Sequence, residues 1–150
     1  MQNIVNRKPA KILIVEDSEP DQVIIERALA DSRIVCDLQV TRNGQEALDH
    51  LHSLDNDSGV SAYPDLILMD MNMPVMCGKE ALKRIRQEER YKHIPIIMLT
   101  TSSYDKDVVD SYKLGVNAYL TKPVSPKDFI SAIQEIEHFW LELAVLPTVH

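Results

Sequence analysis

Only two cysteines occur in 150 residues, Cys36 and Cys77, and they form neither a disulfide framework nor a metal-ligand spacing. Reduced thiols in a cytoplasmic protein are the expectation. Histidines 50, 52, 93, 138 and 150 never fall four apart, so no helical zinc pair is expected. A run of five basic residues is also missing. With 16 Lys and Arg against 23 Asp and Glu the formal charge is −7, which argues against nucleic acid, whose binders carry a basic patch. Apolar runs are strand length, far short of the ~20 residues of a membrane span. The start, MQNIVNRKPAK, lacks the apolar core of a signal peptide. A GxxxxGK[ST] phosphate loop is absent as well.

What remains is an ordinary globular composition, 45% hydrophobic and 26% charged, at a length that fits one domain. The pattern turns on Leu66-Ile67-Leu68-Met69-Asp70-Met71-Asn72-Met73-Pro74. Four apolar residues running into an acid read as a strand buried on both faces. An aspartate at the carboxyl end of such a strand sits where open α/β sheets place their chemistry. Alone, Asp70 is equally readable as a cap for the next segment; the rest of the chain decides.

Residues 1–10 read as a lead-in. Lys11 to Val15 is a short apolar strand that also ends in acids, Glu16 and Asp17. Ser18-Glu19-Pro20-Asp21 opens a helix, with Ser18 as N-cap and Pro20 in the first turn. A second strand lies within residues 34–41, and Asn43-Gly44 starts a helix carrying Ala47, Leu48, Leu51 and Leu54 on one face. Residues 55–63 read as a surface loop. After the Asp70 strand come a loop to Gly78, a helix from Lys79 to about Glu89, and a strand from Pro95 to Leu99. The spacing predicts a helix over Asp105–Leu114 stopped by Gly115, a strand over Asn117–Leu120, and a last helix opened by Ser125-Pro126. Five strands alternating with five helices mark a doubly wound parallel sheet.

A parallel sheet gathers its carboxyl ends on one edge. Glu16, Asp17 and Asp70 arrive there together with Thr100 and Lys122. Three converging carboxylates repel one another and need a cation, and hard oxygen donors that leave room for water and phosphate suit Mg²⁺. A lysine and a threonine beside them could neutralise and hydrogen-bond a phosphoryl group. No base is placed to activate a hydroxyl. Transfer of a phosphoryl group onto a carboxylate is the chemistry these groups suggest.

Glu16-Asp17, Asp70 with Met73-Pro74 and Gly78, Thr100, and Lys122-Pro123, in that order and spacing, resemble the receiver domain of two-component response regulators across about residues 10–138. The resemblance implies a (βα)5 flavodoxin-like fold with strand order 2-1-3-4-5 over residues 11–138. It implies that Asp70 accepts a phosphoryl group from a phosphohistidine on a sensor kinase. Asp17 would bind Mg²⁺ directly and Glu16 mostly through water, with the Asn72 backbone carbonyl completing the shell. Thr100 is then the switch hydroxyl, Lys122 the phosphoryl-pairing lysine, and Tyr119 the aromatic that turns inward when Thr100 moves. A cis Lys122–Pro123 bond is also implied. One departure is Thr101, where the family commonly has alanine; the larger side chain is expected to slow phosphotransfer from small donors.

Residues 139–150 extend past the usual end of such a domain and leave no room for an output domain, so output by protein contact is expected. Apolar residues 139–141 and 143–146 exceed one helical face, and a helix through them would expose a patch of the kind that marks interfaces. Phe139, Trp140 and Leu143 are therefore expected in a homodimer interface on the face of the fourth to fifth helices, against the alternative that Phe139 and Trp140 fold back on their own domain. The long 55–63 loop and the FWLELAVLP-like tail look like stand-alone regulators paired with cyanobacterial and bacterial phytochrome-type histidine kinases. Two other readings compete with this one. A haloacid dehalogenase-type phosphohydrolase needs an acid two residues after its nucleophile, where this chain has Asn72. A phosphorylation-independent pseudo-receiver would not need the five chemical positions that are all present here.

Overall fold

The computed structural model describes residues 9–32, 34–56, 62–101 and 104–143, the side chain of Leu143 excepted. Its elements are β1 (Ala10–Val15), α1 (Glu19–Ala30), β2 (Cys36–Thr41), α2 (Gly44–Leu54), β3 (Leu66–Met69), α3 (Gly78–Gln87), β4 (Ile96–Thr100), α4 (Asp105–Leu114), β5 (Ala118–Thr121) and α5 (Pro126–Glu137). A π-helical turn, His138–Leu143, continues α5. All five strands are parallel in the order β2-β1-β3-β4-β5.

The strands form because their apolar side chains serve two cores at once. Along β1, Leu13 and Val15 face one layer, where Leu48, Leu51, Leu82 and Ile85 of α2 and α3 pack. Ile12 and Ile14 face the other, with Ile25 and Leu29 of α1 and Phe129 and Ile133 of α5. This is the period-2 alternation of a strand with helices on both sides. Every residue of β3 and β4 is buried, whereas β2, at the sheet edge, alternates between exposed and half-buried positions up to Val40.

Helix ends carry local chemistry. Ser18 Oγ accepts the Asp21 N–H at 3.4 Å, Asn43 Oδ1 accepts the Glu46 N–H at 2.9 Å, and Ser125 Oγ caps α5 with Pro126 in its first turn. Gly115 ends α4 in the left-handed region at φ 104°.

Chain reversal decides where chemistry can occur. From β1 the chain runs outward to β2, then crosses back to β3 and continues the other way. Such a switch point leaves a crevice at the carboxyl ends of β1 and β3. Glu16-Asp17 and Asp70 are the residues that follow those two strands.

Two expectations change. The Lys122–Pro123 bond is not cis, nor is any other described peptide bond. Trans is the lower-energy form by ~0.5–1 kcal/mol for X–Pro, and Lys122 is anchored without cis geometry, its N–H donating to Thr100 O at 2.7 Å. The extension beyond α5 continues as a π-helical turn, so its side chains do not follow the α-helical face assumed for them. Residues 57–61 of the long loop and 144–150 of the tail lie outside the described residues.

Candidate functional site

Asp70 emerges from β3 with its peptide tied back to the sheet, its N–H donating to Val15 O at 2.9 Å. Oδ1 accepts the Met71 N–H at 2.7 Å, which orients the carboxylate. Its other oxygen, Oδ2, lies 3.5 Å from Lys122 Nζ. Glu16 is buried and Asp17 exposed, and single oxygens of Glu16, Asp17 and Asp70 all lie within 4.8 Å of one another. Three hard donors at that spacing fit one divalent cation that keeps part of its water shell.

Lys122 is the counter-charge. Its ammonium donates to Glu16 Oε1 at 2.6 Å and to Asp21 Oδ2 at 2.8 Å. Burial works against its charge, but the bonds it donates to Asp21 and Glu16 outweigh that and raise its pKa. Glu16 is pushed up to about 7, chiefly by burial, against the bond from Lys122 and with help from the nearby Asp70 charge. Its Oε2 also accepts the Ser18 N–H at 3.2 Å.

The loop after β3 is built around backbone contact. Gly78 N–H donates to Met71 O at 2.8 Å. A Cβ on Gly78 would collide with the Asp70 carbonyl oxygen and sit 2.9 Å from Met71 Cα, so the first residue of α3 must be glycine to lie against Asp70. Val75 adopts φ 66° between Pro74 O and Met76 N–H, which are 2.7 Å apart. This is a three-residue turn of the rare, strained kind, on a β-branched residue.

Thr100 ends β4 and is fully buried. Tyr119, on β5, is half-buried against the α2–α3 core, and its hydroxyl donates to Met71 Sδ at 3.9 Å. The ring is thus already turned inward, against the residue after Asp70. Asn72 is exposed two residues beyond Asp70, and Thr101 is exposed beyond Thr100. The structure therefore brings Glu16, Asp17, Asp70 and Lys122 together, with Thr100 and Tyr119 on the adjoining strands. Phe139 and Trp140 are elsewhere, at the end of α5. Trp140 is half-buried against the α1–α5 core and Phe139 is exposed, their rings edge-on at 5.5 Å.

Asp21 was missed by sequence reasoning, where it served only to open α1. The usable signal was an acid in the first turn of the helix that follows the acidic pair. Such a turn lies over the same sheet edge that receives the lysine.

A doubly wound sheet whose switch-point crevice holds clustered acids and one lysine defines a phosphoryl-accepting signalling module rather than a nucleotide-binding one. The response regulator receiver domain family matches residues 12–134, and the chain belongs to that family. The response regulator Rcp1 of Synechocystis sp. (strain ATCC 27184 / PCC 6803 / Kazusa) is 42% identical over 93% of this chain and 94% of its own length. Among solved structures, the phosphorylated cyanobacterial phytochrome response regulator RcpA is 37% identical with a TM-score of 0.87, over 94% of this chain and all of its own. The Mn²⁺-bound form of Rcp1 is 40% identical with a TM-score of 0.85, over 93% and 100%. The chain is a phosphoryl-accepting signalling protein, and its acidic pocket is of the kind that takes a divalent cation.

Proposed function

We propose that Asp70 takes a phosphoryl group from a sensor histidine kinase of the phytochrome type, with Mg²⁺ held by Glu16, Asp17, Asp70 and the Asn72 carbonyl. The observation that carries this reading is the cluster of three carboxylates within 4.8 Å of one another, with Lys122 Nζ 3.5 Å from Asp70. In the transfer a carboxylate oxygen of Asp70 bonds to phosphorus while the bond from phosphorus to the donor imidazole breaks. The leaving nitrogen keeps the electron pair. A bound Mg²⁺ would neutralise charge on the acceptor and the incoming phosphoryl oxygens. Met71 N–H orients the nucleophile, Lys122 pairs with a phosphoryl oxygen, and the Thr100 hydroxyl closes on another.

Thr100 and Tyr119 then pass the event to α4, which buries only Ser111, the fewest of any α-helix. The kinase pairing comes from the likeness to RcpA and Rcp1. Such a partner places the chain in the cytoplasm. Output is by contact, as a homodimer through α4, β5, α5 and the turn after it, with a downstream protein target. Exposed Val109, Tyr112, Leu120 and Phe139 support this reading. The phosphorylation-independent alternative is not favoured, because every group that phosphoryl uptake needs is present.

Radiolabelled phosphotransfer tests the proposal. A purified, autophosphorylated phytochrome-type kinase should pass label to the wild-type protein and none to Asp70→Asn. Label on Asp70→Asn, or none on the wild type from several such kinases, would overturn it.

A further inference from the structure

We propose that Asp21 is a positioning residue for phosphoryl uptake: it holds the Lys122 ammonium back from Asp70, and its hold sets how readily the lysine reaches a phosphoryl group. The inference rests on Asp70 as the acceptor.

The first observation is placement. Asp21 lies in the first turn of α1, its N–H on the Ser18 cap at 3.4 Å. The next residue fastens that turn to the site, Gln22 Nε2 donating to Glu16 O at 2.6 Å. The backbone of Asp21 is therefore fixed over the sheet edge where Lys122 arrives, and its carboxylate meets the ammonium there at 2.8 Å.

Distances give the second. Lys122 Nζ lies 2.6 Å from Glu16, 2.8 Å from Asp21 and 3.5 Å from Asp70. Charge-assisted N–H···O bonds run at about 2.7–2.9 Å. Two such bonds are made, and the acceptor is the last of the three acids the ammonium serves.

Exposure separates the two holders. The Glu16 side chain is 2% exposed and that of Asp21 26%. If the lysine withdrew from Glu16, a buried carboxylate would lose its charged partner where water has little access, which is costly. Withdrawn from Asp21, it leaves an oxygen that water can reach. Asp21 is thus the releasable partner. Moving toward an incoming phosphoryl group means exchanging Asp21 for that group while the bond to Glu16, or the cation that replaces it, is kept.

An uncharged residue of the same shape should weaken this hold without emptying the position. Asp21→Asn is expected to take up phosphoryl from a small acyl phosphate about threefold faster or more, the scale of one partly exposed ion pair. Asp21→Glu, which restores the charge, should return the wild-type rate. In a Lys122→Met background the same Asn substitution should change nothing, because the effect acts through the lysine. Equal factors in both backgrounds, or an unchanged or slower rate in Asp21→Asn alone, would overturn the proposal. A second readout needs no phosphoryl transfer: in metal-free protein the NMR resonance of Lys122 Nζ should move on Asp21→Asn. An unmoved resonance would also overturn it, whereas failure of the wild type to form an adduct, with that resonance moving, would count against Asp70 as acceptor instead.

Discussion

If Glu16 helps hold the cation as proposed, its proton sets the pH at which the acidic pocket fills. Burial favours its neutral form, so the raised pKa of about 7 contributes stability to the metal-free protein at low pH. That contribution is fully present below the ordinary carboxylate pKa and is lost as pH rises through about 7. A cation must displace the same proton. Titration calorimetry should therefore show Mg²⁺ affinity rising with pH up to about 7 and levelling above it. An affinity flat from about pH 5.5 to 8 would contradict this reading of Glu16. At this scale the sequence was most legible where a residue type and a strand end coincide, as at Glu16, Asp17, Asp70, Thr100 and Lys122. Asp21 was harder to read, because its contact depends on which carboxylates a long lysine side chain reaches. That is a distance, and the chain signals it only by an acid in the first turn of the helix after the acidic pair. The left-handed Val75 was hidden for a similar reason. Valine disfavours that region, and only the turn from Pro74 to Met76 imposes it.

Among the helices, α3 and α4 are held differently. Gly78, Ala81, Leu82 and Ile85 of α3 are buried, whereas α4 buries only Ser111, whose hydroxyl finds no partner among the described residues. Lys79, next to the glycine that lies against Asp70, forms ion pairs with Asp107 at 2.7 Å and Asp110 at 3.2 Å on α4. These pairs are partly exposed and screened by solvent, so they hold α4 only weakly. Amide hydrogen exchange should thus be faster across Asp105–Leu114 than across Gly78–Gln87 in the unphosphorylated protein. Phosphorylation should change the exchange of α4 more than that of α3. Equal protection of the two helices would remove α4 as the element that switches. Element order was readable because buried parallel strands are short apolar runs and their helices carry recognisable caps: Ser18, Asn43, Ser125 and Gly115 all perform as their residue types suggest. Boundaries shifted by a residue or two, as where α3 starts on Gly78 rather than Lys79. The turn after α5 was not readable as π-helical, since the same apolar residues suit an α-helix equally well.

Across the whole molecule, one topological fact places the chemistry. The chain reverses between β1 and β3, so the acids after those strands share a crevice while both faces of the sheet stay packed under helices. Among the described residues no helix is long and apolar enough to cross a membrane. A groove of about 470 Å³ runs between β5 and the end of α5, lined by Leu120, Ile136, Phe139 and Trp140 among others. If that side is the dimer face, light scattering at roughly tens of micromolar should give twice the monomer mass. A monomer with and without phosphorylation would remove the dimer from the account. The packing of the tail was only partly legible, because an apolar tail residue can fold back or face outward. Trp140 does some of the first, while Phe139 stays exposed. The central claim is that Asp70 accepts a phosphoryl group in a cation-dependent pocket. Intact mass after incubation with acetyl phosphate and Mg²⁺, beside a chelator control and Asp70→Asn, tests it most directly. The expected result is one phosphoryl adduct on the wild type, absent with chelator and absent in the variant. An adduct that persists in Asp70→Asn, or forms equally well in chelator, would contradict the claim.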